Sequence, residues 1–109
     1  VLMALSTHVL DLSSGRPATG IPDSLSKDRV LLGSGVTDSD GRYDGFIVGA
    51  GLEPGQYQLN FDVAEYFSAQ SLDTLYTIIP VAFLIKDTTP HYHVPLLLSP
   101  YGYSTYRGS

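Results

Sequence analysis

Apolar residues recur along this chain in short runs, most of them alternating with polar residues and separated by Gly, Pro and Asp turn signals. That period-two pattern predicts strands rather than helices. Candidate strands span residues 2–12, 21–25, 30–36, 42–48, 55–63, 77–86, 91–98 and 103–107. Strands of this length between frequent turns predict a mainly β fold, a sandwich of two sheets, in a single domain covering residues 1–109. One segment breaks the pattern. Asp62 with Glu65 three residues on has the form of a capping box, and EYFSAQSL follows without Gly or Pro, which predicts one short helix.

Because side chains alternate across a strand, the faces can be sorted. Tyr92, Val94, Leu96 and Leu98 form one apolar face, the core side, and Leu5, Thr7 and Val9 do the same in the first strand. The opposite faces carry His91, His93, Pro95 and Leu97, then Ser6, His8 and Leu10. In the last strand Ser104, Tyr106 and Gly108 share a face, and Tyr103, Thr105 and Arg107 share the other. Such mixed faces are too apolar to meet only water and too polar for a core. They fit packing against a second protomer with a polar cleft between.

Charge and composition narrow the partners. A net charge of −5 with six scattered Lys/Arg offers no row of cations for phosphates, so nucleic acid is excluded as a partner. No apolar run approaches the ~18 residues of a membrane span. The absence of cysteine removes disulfides and a thiol nucleophile and leaves the redox compartment open. The sequence begins at Val1 without an initiator Met, which is compatible with removal of a targeting segment.

Three readings of the histidines stand side by side. His91 and His93 at i, i+2 with His8 as a third could ligate zinc; the same residues could catalyse without metal; or they could be structural. TDSDGRYDG, residues 37–45, carries a DG hairpin signal, and its carboxylates do not have calcium-loop spacing. Arg42 after that turn is a solvated charge unless it reaches the histidine face, where a guanidinium suits an anionic, amide-rich ligand. No GxSxG elbow or P-loop is present.

The segments STHVLD with GRPA, TDSDGR, EPGQYQLNFDVAEYF and the terminal HYHVPLLLSPYGYSTYRGS closely resemble the transthyretin-related 5-hydroxyisourate hydrolases, over essentially the whole chain. The resemblance implies a transthyretin-like (prealbumin-like) sandwich of two four-stranded sheets with one short helix, assembled as a homotetramer, a dimer of dimers, with active sites in the channel between dimers. It implies hydrolysis of 5-hydroxyisourate to 2-oxo-4-hydroxy-4-carboxy-5-ureidoimidazoline on the route from urate to allantoin, with no metal and no organic cofactor. Carried over residue by residue, it makes His8, Arg42 and His93 catalytic and Tyr106, Arg107, Gly108 and Ser109 substrate-binding. His8 would be the base, His93 its partner, and Arg42 the group that polarises the substrate's oxygens. The carboxylate after Ser109 would join the site, while His91 would lie outside the chemistry.

The family's transthyretin branch supplies a rival, a carrier of small apolar ligands in the same channel, and a zinc amidohydrolase using His8, His91 and His93 is a third reading. The compartment implied is cytoplasmic or peroxisomal, or periplasmic after loss of a leader. One departure stands out. IPDSLSKDRVLL, residues 21–32, is shorter than the family pattern, and alternation points Asp23 into the core beside Ile21 and Leu25, a poor place for a carboxylate.

Overall fold

A computed structural model describes residues 5–46, 53–87 and 91–108. In chain order its elements are β1 Leu5–Asp11, β2 Arg16–Pro17, β3 Pro22–Lys27, β4 Val30–Val36, β5 Arg42–Tyr43, β6 Gly55–Asp62, α1 Ala64–Ser68, β7 Ile78–Ile85, β8 Tyr92–Ser99 and β9 Gly102–Thr105. They form two sheets packed face to face. One is antiparallel throughout, in the order β4-β3-β6-β7. In the other, β1 and β8 run parallel, with Leu5 opposite Tyr92 and Asp11 opposite Leu98, and β9 lies beside β8.

The free side of β1 is divided between two very short strands, β2 opposite Leu10 and Asp11, and β5 opposite Thr7 and His8. The expected fourth strand of that sheet is therefore split into two pieces. The chain between them leaves β1, makes the β3–β4 hairpin in the other sheet, and returns with Arg42 beside His8.

The core lies between the sheets and is built from the alternating faces. Leu5 and Val9 of β1 and Leu96 and Leu98 of β8 meet Leu25 of β3, Leu59 and Phe61 of β6 and Ile79 of β7, all fully buried. Each such side chain contributes roughly 1.5–3 kcal/mol relative to exposure. Thr7 is buried on the same face without penalty, because its hydroxyl donates to the Val94 carbonyl at 2.6 Å. Asp11 is buried too. It accepts from the Ser13 amide and hydroxyl, the Ser14 amide and the Tyr66 hydroxyl, the last at 2.7 Å, and these bonds outweigh burial and hold its carboxyl below the ordinary range. Burial, reinforced by that same carboxylate, pushes the Tyr66 hydroxyl up to about 12.

Two sequence expectations are corrected. Helix α1 is there, anchored by buried Phe67, but its N-cap is Val63, with no side-chain cap bond. Asp62 remains in the sheet opposite Ile78, so the capping box does not form. The short second strand is longer than expected, running to Lys27 with a register shift at Leu25/Ser26. Lys27 pairs with Val30 across Asp28 and Arg29, whose φ values of 51° and 66° are those of a two-residue type I′ turn. The shorter segment thus reflects a minimal hairpin. Asp23 does point inward, 3% exposed, with neither carboxylate oxygen hydrogen-bonded to another group.

Among the described residues no helix is long and apolar enough to cross a membrane.

Candidate active site

Three strands of one sheet bring the candidate residues together: His8 on β1, Arg42 on β5 and His93 on β8. Arg42 is placed by its turn. Asp38 Oδ1 accepts the amide protons of Asp40 at 2.9 Å and Arg42 at 3.0 Å, so the carboxylate is used on its own backbone and is held below its ordinary pKa by those bonds. Gly41, at φ +74°, then presses against β1. A Cβ there would lie 2.5 Å from the Val9 carbonyl, and the Val9 amide donates to Gly41 O at 2.7 Å. Only glycine allows that approach in that conformation. The following residue lands directly opposite His8.

The parallel β1–β8 register sets Ser6 opposite His93 and His8 opposite Pro95. The His8 and His93 rings, both half-buried, lie 6.5 Å apart between centroids with 33° between their planes. Burial first, then the Arg42 charge, pushes the His8 pKa below 6.5, against an opposing ring hydrogen bond to the Asp40 backbone. His93 is lowered by burial, then by Arg42, His8 and His91. Both imidazoles are consequently neutral near pH 7, the form that can accept a proton from water.

The segment after β9 completes this face. Gly108 bridges to His93, donating its amide proton to the His93 carbonyl at 2.7 Å. A Cβ at Gly108 would sit 2.6 Å from His93 Cδ2 and 3.2 Å from Pro95 Cγ, so glycine is required for the terminal segment to lie flat against the ring. The same register carries Tyr106 to Pro95, on the face of His93. Arg107 points to the other face, its guanidinium 4.5 Å from the Tyr92 ring centroid in a cation–π contact. Ser109 lies outside the described residues.

Ser6 is a neighbour that the sequence placed on this face without giving it a role. Its hydroxyl lies 2.7 Å from His93 Nδ1 and 2.8 Å from His91 Nε2. Those two nitrogens converge on a hydroxyl, and among the described residues no group of three His, Asp or Glu side chains is arranged to hold a metal ion.

A sandwich of this topology, with two neutral imidazoles and a guanidinium on the outer face of one sheet, is of the transthyretin class, with a polar site where proton transfer to and from water is possible. A profile of the HIUase/Transthyretin family matches residues 5–108, and the chain belongs to that family. The 5-hydroxyisourate hydrolase of Salmonella dublin is 46% identical over 109 aligned residues, covering 96% of this chain and 80% of the relative. The structure of Klebsiella pneumoniae 5-hydroxyisourate hydrolase superposes with a TM-score of 0.87 at 39% identity, over 98% of this chain and 94% of the other. Transthyretin from Sparus aurata superposes with a TM-score of 0.90 at 26% identity, over 98% and 97%.

Proposed function

We propose that this chain hydrolyses 5-hydroxyisourate to 2-oxo-4-hydroxy-4-carboxy-5-ureidoimidazoline, with His8, Arg42 and His93 as its catalytic groups. The observation that carries this reading is the pair of imidazoles on one sheet face, both kept neutral by burial and by the Arg42 guanidinium. The named hydrolases among its relatives support the same substrate.

His8 takes a proton from a water molecule as its oxygen attacks the ring carbonyl. The new C–O bond places negative charge on the carbonyl oxygen, and Arg42 stabilises it. The ring C–N bond then breaks, and the leaving nitrogen takes a proton from His93 Nε2, the nitrogen turned away from Ser6. Tyr106 narrows the approach to His93 from the same face. Gly108, flat against His93, borders the substrate's edge, and Arg107 serves by fixing the terminal segment through Tyr92.

The assembly in this reading is a homotetramer, two dimers enclosing the site face. Its support is the set of exposed apolar side chains on the edge strands, Ile78 and Leu84 on β7 and Tyr103 on β9, with Tyr106 beyond. The carrier reading shares the fold, but ligand carriage has no use for two neutral imidazoles beside a guanidinium.

Turnover of 5-hydroxyisourate, generated from urate by urate oxidase and followed spectrophotometrically, tests this directly. The expected rate is unchanged by EDTA and rises with pH through a midpoint below 6.5, as the histidines lose their protons. Loss of activity on chelation would instead favour the zinc mechanism, and no turnover would favour the carrier.

A further inference from the structure

We infer that Ser6 and His91 form a proton relay behind His93, passing a proton to its Nδ1 as its Nε2 gives one to the leaving nitrogen. The inference rests on the hydrolase reading and adds two positioning residues to it. Strand geometry creates the relay. His91 and His93 are two residues apart on one side of the chain, and the parallel register sets Ser6 opposite His93, so its hydroxyl falls between the two rings.

A serine hydroxyl has one proton. With Oγ at 2.7 Å from His93 Nδ1 and 2.8 Å from His91 Nε2, at most one nitrogen accepts its proton and at least one donates to its lone pairs. When His91 Nε2–H donates to Ser6 and Ser6 O–H donates to His93 Nδ1, the His93 proton is left on Nε2. That is the tautomer a general acid at Nε2 requires.

The relay answers a chemical difficulty. A neutral imidazole is a very weak acid unless its second nitrogen gains a proton as the first loses one. Burial, the Arg42 charge on β5 and the neighbouring rings of His8 and His91 all disfavour an imidazolium at residue 93, against only a hydrogen bond to the Ser6 backbone, and Asp38 and Asp40 act on His8 rather than His93. In the relay the scissile nitrogen takes the Nε2 proton, the Ser6 proton moves to Nδ1, and the Ser6 oxygen is reprotonated from His91 Nε2. His93 ends as the Nδ1–H tautomer, with Ser6 Oγ 2.7 Å from that nitrogen to receive the N–H. His91 is exposed, and as it gives up the Nε2 proton it takes one from solvent at Nδ1, so that it too ends neutral. The reverse shift, with a water proton entering at Nε2, restores the starting state. No charge accumulates on Ser6.

Ring nitrogen-15 NMR shifts read the tautomer without any substrate. Wild-type His93 is expected as the Nε2–H form, Ser6→Ala as a mixture of both tautomers, and Ser6→Thr, which keeps the hydroxyl, as wild type. A wild-type His93 in the Nδ1–H form, or a tautomer unmoved by Ser6→Ala, would overturn the relay. In turnover assays Ser6→Ala and His91→Gln are each expected to lower kcat about 10- to 100-fold with little change in KM. Ser6→Thr should recover most of it. Ser6→Ala with wild-type kcat would also overturn the relay. Absence of turnover in the wild type would count against the hydrolase reading alone, and the NMR result would still decide the tautomer.

Discussion

With Arg42 replaced by glutamine, kcat/KM for 5-hydroxyisourate is expected to fall about 10²- to 10³-fold while the fold is retained. The side chain is exposed, and the turn that carries it is held by backbone bonds to Asp38 and by the Gly41–Val9 contact, none of which involves the guanidinium. Stability should therefore barely change. The second effect is more specific. Arg42 lowers the pKa of both histidines, so removing its charge must raise both. The acid limb of the pH–rate profile then moves to higher pH, and proton NMR titration of the two rings should show the same shift. Loss of activity with both titrations unmoved would separate Arg42 from the histidines and contradict the proposed site.

Asp23→Asn is expected to stabilise the protein at pH 8 by about 1–2 kcal/mol and to do almost nothing at pH 4. Burial raises the Asp23 pKa from 3.8 to about 7. The folded state therefore binds this proton more tightly than the unfolded chain, and its contribution falls as pH rises through that window, with the full penalty present above about 7. The residue lines a pocket with Ser24, Ser34, Asn60 and Asp62, and water entering that pocket as the charge forms holds the penalty to about 2 kcal/mol. Asparagine removes the charge but keeps unpaired polar atoms, so at pH 4, where the aspartate is already protonated, the two should be equal. Urea unfolding at both pH values measures this. An equal stability change at pH 4 and pH 8 would show that the carboxylate charge is not the cause.

Much of this architecture was legible because strands write their burial into the sequence. Val30–Val36 forms as expected, and β6, β7 and β8 lie within one or two residues of the alternating segments. The core side of β1 and β8 is likewise set by alternation, as is the inward-facing Asp23 of β3. What sequence could not give was pairing. Arg16–Pro17 is two exposed residues with no periodic signal, and it is a strand only because β1 offers an edge there. The capping box failed for the same reason, since the sheet ladder to Ile78 keeps Asp62 from leaving the strand.

The candidate site is legible in its proposed members and not in their connections. His8, Arg42 and His93 were named from motifs, and Tyr106 and Gly108 follow from the register of β9 with β8. Ser6 needed the parallel register of β1 with β8, a pairing between residues more than eighty positions apart that nothing local encodes. Arg107 shows the converse. Its place in a distinctive terminal motif suggested ligand contact, whereas its side chain lies over Tyr92 on the core side.

The most direct test of the central claim is the turnover of freshly generated 5-hydroxyisourate by His93→Ala, measured beside the wild type in protein with native near-ultraviolet circular dichroism and unchanged assembly. The account predicts a fall in kcat of about 10²- to 10⁴-fold. A folded variant that turns over substrate at the wild-type rate would contradict it.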